Sequence, residues 1–174
     1  MKKTIILLLG LFLAMGSLNA QEKSVTYRPY SMELKMGLNS AVEDFMMAPV
    51  LGMELRRNLS PRYDLGVELA FLMFPEGCVL KPSPYLSAIG DANFDVALWF
   101  KPFVGAGLGI GYSWSDFADH PVVGQLTVRG GAKLWKHLRL TVGVRPNTLY
   151  KCVFDGSIGF TFGIGKEREW KYRQ

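Results

Sequence analysis

Phe103-Val104-Gly105-Ala106-Gly107-Leu108-Gly109-Ile110-Gly111-Tyr112 places glycine at every second position, with an apolar residue on either side of each. A repeat of two is the repeat of a β-strand, in which successive side chains point to opposite faces. Val104, Ala106, Leu108, Ile110 and Tyr112 therefore make one apolar face, and Gly105, Gly107, Gly109 and Gly111 make an opposite face with no side chains. Glycine is entropically costly in a strand, so four on one face mean that space or curvature there outweighs propensity. The spacing is not that of a dinucleotide loop. The third glycine of G-x-G-x-x-G would fall at Ile110 or Tyr112, and no helical pattern follows.

The alternation continues on both sides of this segment. Over 30–39, Tyr30, Met32, Leu34, Met36 and Leu38 alternate with Ser31, Glu33, Lys35, Gly37 and Asn39. Over 50–59, Leu51, Met53 and Leu55 alternate with Gly52, Glu54 and Arg56; over 63–74, Tyr63, Leu65, Val67, Leu69, Phe71 and Met73 alternate with Asp64, Gly66, Glu68 and Ala70. The stretch 84–98 sets Leu86, Ala88, Ala92, Phe94 and Val96 against Ser87, Asp91, Asn93 and Asp95. In 122–135 and 138–147 the apolar sets face Gln125, Thr127, Arg129, Gly131, Lys133 and Arg139, Thr141, Gly143, Arg145. The run 156–165 closes with Ile158, Phe160, Phe162 and Ile164 against Ser157, Gly159, Thr161 and Gly163. With the glycine segment these make eight strands of about the ten residues that a tilted membrane strand needs. Long connections at 40–48, 75–83, 113–121 and 148–155 alternate with short ones at 58–62, 99–101 and 136–137, so an up-and-down order gathers the long loops at one end.

Residues 1–20 read as a cleaved signal peptide: Lys2 and Lys3, an apolar core from Ile5 to Met15, and Ser17-Leu18-Asn19-Ala20 as a small-residue cleavage site. The core is shorter than the ~20 residues of a spanning helix. No cysteine follows it to take a lipid anchor. The remainder divides into a short lead (21–29), the barrel (30–165) and a tail (166–174), one domain in all. The 174-residue chain carries a formal charge of +5, and loss of Lys2 and Lys3 leaves +3. That is too modest a charge to imply nucleic acid.

Alternation does not say which face looks inward. The polar set supplies acids (Glu33, Glu54, Asp64, Glu68, Asp91, Asp95) and an equal number of bases (Lys35, Arg56, Arg129, Lys133, Arg139, Arg145), interspersed with Gly, Ser and Thr. Balanced charges suit a narrow lumen, where each ion needs a partner. The apolar set is too bulky to fill an eight-stranded barrel, and facing lipid removes that limit. Tyr30, Tyr63, Tyr85, Trp99, Tyr112, Trp114 and Trp135 stand toward strand ends, where interfacial girdles belong. The expected fold is an all-β, eight-stranded, antiparallel, up-and-down transmembrane β-barrel behind a signal peptide.

Gly90-Asp91-Ala92-Asn93-Phe94, the strand that begins at Pro102, and the closing Ser157-Ile158-Gly159-Phe160-Thr161-Phe162-Gly163-Ile164-Gly165-Lys166 resemble the small outer-membrane β-barrel domain family over nearly the whole mature chain. The resemblance implies an outer-membrane location with both termini in the periplasm, and the outer-membrane lipid and the barrel-insertion machinery as partners. The family's last strand commonly ends the chain on an aromatic; here 166–174 follow it, so Phe162, Trp170 and Tyr172 all stand as aromatics for that machinery to read.

Several groups invite a chemical role. Cys78 and Cys152 fall in two expected long loops of an exported chain; a disulfide between them is one reading, two separate thiols the other. His120 lies near Asp116 and Asp119, and near Ser113 and Ser115, but no spacing marks a triad or a metal site; His137 sits in a short turn. No cofactor or metal is expected. Eight strands leave an interior about filled by its own side chains, which argues against an aqueous channel. The expectation is a monomeric, non-enzymatic barrel presenting its loops to an extracellular partner. A lipid A-modifying enzyme and a soluble periplasmic ligand-binding barrel are the alternatives.

Overall fold

The computed structural model describes residues 24–41, 47–76, 79–97, 99–114, 121–135, 137–148 and 151–171. It contains β1 (Ser24–Tyr27), β2 (Tyr30–Ala41), β3 (Met47–Asn58), β4 (Tyr63–Glu76), β5 (Val79–Asn93), β6 (Phe100–Tyr112), β7 (Val122–Leu134), β8 (Leu138–Asn147), β9 (Lys151–Ile164) and β10 (Arg168–Lys171). Strands β2 to β9 form a closed barrel in sequence order, each antiparallel to its neighbours. The seam closes where β2 pairs with β9, from Tyr30 opposite Ile164 to Ala41 opposite Val153. Closure leaves no barrel edge unpaired.

The expected eight strands are all present, and the differences lie at their ends. β5 begins at Val79 and passes through Pro82 and Pro84, which pair with Met73 and Phe71. Prolines blur the apolar–polar rhythm there, yet an outward proline in a barrel wall still extends the strand. At its other end β5 stops at Asn93, because the Phe94 N–H donates to Pro102 O (2.8 Å) and the Ala97 N–H to Phe100 O (3.1 Å), making a tight turn. β9 begins at Lys151, so residues read as loop are wall.

β1 and β10 are an addition to the expected order. The lead and the tail pair as a two-stranded ribbon, Ser24 opposite Lys171 to Tyr27 opposite Arg168. Four residues are too few for a periodic signal, and such a ribbon is marginal alone. It is tied to the barrel at Arg28 and Pro29: Asn58 N–H donates to Pro29 O (2.8 Å), Asn58 Nδ2 to Arg28 O (2.6 Å) and Arg28 Nη1 to Gly163 O (2.8 Å). Gly165, at φ +93°, turns the chain into β10, a conformation that favours glycine. Arg28→Ala is expected to speed amide exchange in 24–27 and 168–171 at least severalfold while β2 and β9 keep their protection.

The glycine face of β6 is explained by what lies beside it. Gly105 stands in register between Asp91 of β5 and Arg129 of β7, and Gly109 stands likewise between Ser87 and Gln125. Across Gly105 the two charged partners join: Arg129 Nε donates to Asp91 Oδ1 (3.0 Å) and Nη2 to Oδ2 (2.7 Å). A Cβ on Gly105 would meet Asp91 Oδ1, and one on Gly159 would meet Glu33 Oε1. At Gly111 the neighbour is the Tyr85 ring, which is fully buried. Tyr85 thus belongs to the lumen and not to the girdle, because its odd position in β5 shares the face of Ser87 and Asp91.

Candidate functional site: the lumen and the outer wall

The lumen is organised in layers along its axis. At the end that carries the long connections (the loop end), Ala41, Val50, Leu72, Phe74, Tyr85, Val123 and Val153 pack as a buried apolar cluster. These side chains occupy inward positions, which the alternation had marked as polar; the sequence signal for them was the loss of charge near one end of each inward set. Toward the end that carries the chain termini (the terminal end), Phe103 lies over Gly131, and the Arg139 guanidinium stands 3.5 Å above the Phe103 ring.

Between these layers the charged side chains brace opposite walls. Glu54 on β3 is the hub: it accepts from Lys35 Nζ (2.9 Å), Arg56 Nε (2.9 Å) and Arg129 Nη1 (2.6 Å), the last reaching from β7 across the barrel. Arg56 also bonds Glu33 (2.5 Å), and Arg139 Nη2 donates to Asp91 (2.8 Å). Lys35 links this set to Glu68 on β4. Arg145 on β8 completes the next layer by donating to Glu68 (2.8 Å) and to Asp155 (2.7 Å). Nearer the terminal end Lys133 and Asn93 both reach Asp64 Oδ2, at 2.7 Å and 2.9 Å. Ions removed from water are tolerated only when paired in this manner, and every pair but Arg56–Glu54, which lies within β3, ties two strands.

One expected lumen charge is elsewhere. Asp95 sits in the β5–β6 turn, half-exposed, where it pairs with Lys101 at 2.6 Å. Strand β5 ends at Asn93 and a turn follows, so the parity of the alternation does not carry on to Asp95. Its place in the charge balance is taken by Asp155, which lies in the wall because β9 begins at Lys151, ahead of its apolar run. The lumen thus holds Glu33, Glu54, Asp64, Glu68, Asp91 and Asp155 with Lys35, Arg56, Arg129, Lys133, Arg139 and Arg145, equal in number and opposite in sign.

The outer wall carries the opposite set. Met36 is 66% exposed, Leu108 69% and Val142 67%, and the exposed large side chains run around the whole barrel. Tyr30, Tyr63, Trp99 and Trp135 are exposed at the terminal end; Tyr112 and Trp114 are exposed at the loop end, their rings 5.6 Å apart and edge to face. A concave stretch of the wall is lined by residues of β2, β3, β7, β8 and β9, with Leu38, Leu51, Val128, Val142, Phe154 and Gly156 among them.

Other sequence candidates fall as follows. Cys152 is half-buried in β9 at an outward position, whereas Cys78 lies outside the described residues. Ser115, Asp116, Asp119 and His120 also lie outside them. Ser113 is buried, its N–H bonded to Pro121 O (2.8 Å). His137 Nδ1 stands 3.0 Å from Thr161 O, a link between the β7–β8 turn and β9. Among the described residues no three His, Cys, Asp or Glu side chains are disposed to hold a metal ion.

No protein-family profile matches the sequence, and no curated protein is significantly similar to it. Solved structures do match in shape. The outer membrane enzyme PagL superposes with a TM-score of 0.58 at 14% identity, covering 77% of this chain and 99% of that one. Neisserial surface protein A gives 0.58 at 14%, covering 82% and 100%. The N-terminal β-barrel domain of Pseudomonas aeruginosa OprF gives 0.50 at 14%, covering 79% and 100%. The fold is that of the small eight-stranded outer-membrane barrels.

Proposed function

We propose that this chain is a monomeric, non-enzymatic outer-membrane barrel that holds its long loops on the cell exterior as a rigid scaffold. The observation that carries the reading is the inversion of the usual arrangement: ions fill the lumen, while an unbroken apolar band faces out. A soluble protein seldom exposes such a band, and a soluble ligand-binding barrel would put it inside. The interlocked lumen charges and the apolar cluster at the loop end occupy the space a channel would need. In this reading the termini and short turns lie in the periplasm, which is where an even-stranded barrel threaded from that side leaves both ends. The partners are outer-membrane lipid, the insertion machinery, for which the exposed Phe162 of β9 and the tail's Trp170 and Tyr172 are the aromatics on offer, and an extracellular partner for the loops.

Epitope insertion tests the orientation. A tag between residues 117 and 118 is expected to bind antibody on intact cells, and a tag after Gln174 only on permeabilised ones. The reverse pattern would refute the reading. Likeness in fold to PagL calls for a direct test of the enzymatic alternative. His120→Ala is expected to leave the acyl pattern of lipid A unchanged, and a changed pattern would favour an enzyme.

A further inference from the structure

The two ends of the barrel differ in charge. Arg57, Arg62, Lys166 and Arg168 are exposed at the terminal end. Of the exposed acids there, Asp95 is paired with Lys101 (2.6 Å) and Glu167 with Arg28 (3.6 Å), leaving Glu169 against Arg57, Lys166 and Arg168. The loop end has the opposite sign: Glu43, Asp44, Asp116 and Asp119 fall in its connections and Glu76 ends β4, against Lys81 and Lys151 near the starts of β5 and β9.

Arg57 is the cation placed on the outer wall itself. It is the last outward position of β3, with Tyr30 of β2 and Leu65 of β4 as its cross-strand neighbours. Tyr63, on the same outward face of β4, is 57% exposed and Tyr30 49%. Among the described residues Arg57 has no side-chain partner. An arginine directly across from Tyr30 on one strand and from Leu65 on the other, with Tyr63 diagonal to it and Leu55 continuing the apolar wall, is built for the depth at which headgroups meet acyl chains.

We propose that the terminal rim, centred on Arg57, is a binding site for the phosphate of anionic glycerophospholipids. The guanidinium offers paired donors that match phosphate oxygens, and Leu55 and Leu65 give the attached chains a surface to lie on. Free phosphate and acidic glycan have no chains to use that surface. The proposal rests on the membrane reading above.

The test uses the full chain in detergent micelles, with equimolar phosphatidylglycerol and phosphatidylcholine of identical chains, read by native mass spectrometry. The wild type is expected to retain phosphatidylglycerol several times more than phosphatidylcholine. A surface cation contributes about fivefold, from ~1 kcal/mol each, so Arg57→Gln is expected to cut the ratio by about that factor. Arg57→Lys is expected to keep most of it, and Lys151→Gln at the other end all of it. Equal retention by the wild type, an unchanged ratio in Arg57→Gln, or displacement of the lipid by inorganic phosphate at matched ionic strength would overturn the site. Gel mobility of each sample with and without boiling separates the two claims. A heat-modifiable protein without lipid preference sinks the site alone, and a protein that never shows the shift sinks the barrel.

Discussion

Gly107→Leu is expected to destabilise the barrel by roughly 3 kcal/mol or to stop it folding, while Leu108→Phe costs less than roughly 1.5 kcal/mol. The two positions are adjacent in one strand and differ only in the face they present. A Cβ at position 107 would stand 2.6 Å from Ala88 O and 2.6 Å from Ile89 Cγ2, and backbone of a paired strand cannot yield. At Gly109 it would meet Leu86 O at 2.8 Å. Leu108 is 69% exposed, so added bulk there meets the surroundings of the barrel and not its filling. Gly156 controls for residue type. It faces outward with no atom within 4 Å of a built Cβ, and Gly156→Ala is expected to be nearly neutral. Urea titration of the heat-modifiable band measures all four. Equal tolerance at 107, 108 and 109 would mean that the faces are the other way round.

Removing the hub of the lumen network is the second large effect. Glu54→Ala takes an acceptor from Lys35, Arg56 and Arg129 at once, and breaking a buried ion pair from one side costs about 3–5 kcal/mol. The three cations keep other partners in Glu68, Glu33 and Asp91, which places the expected loss within that range and not at a multiple of it. Pairing Glu54→Ala with Arg129→Met should recover part of the loss, because the double variant leaves one fewer cation unanswered. A coupling of about 1–3 kcal/mol is expected from that cycle. The loss should change little between low and moderate salt, since these side chains lie beyond the reach of counterions. Strict additivity, or a loss that vanishes in salt, would show that the charges are solvated.

The period of two was enough to reveal the wall of this protein, since each strand buries one face and a single slip would turn every side chain over. The same period located most of the lumen charges by parity alone. It failed where parity loses meaning: Asp95 follows the end of β5, and Asp155 precedes the apolar run of β9. Tyr85 misled for a different reason. Its residue type belongs to interfaces, but its odd position in β5 decides its direction, and a glycine at 111 opens the space its ring fills. The apolar cluster at the loop end shows in the sequence only as a loss of charge near one end of each inward set; Val50, Leu72 and Val153 carry no mark of the wall they come from, and only the register assembles them. The β1–β10 ribbon was beyond reach for want of length, its pairing set by tertiary anchors at Arg28 and Asn58. Arg57 is visible as a residue, and its meaning as an outward cation beside Tyr30 appears only with the strand register.

The inside-out assignment is tested most directly by fractionating cells that express the chain and running the membrane fraction on a gel with and without boiling. The protein is expected in the outer-membrane fraction, extracted only by detergent, with an unboiled band that migrates apart from the boiled one. Recovery in the soluble fraction without detergent, or a single mobility under both treatments, would contradict the assignment of the apolar face to lipid and the charges to the lumen.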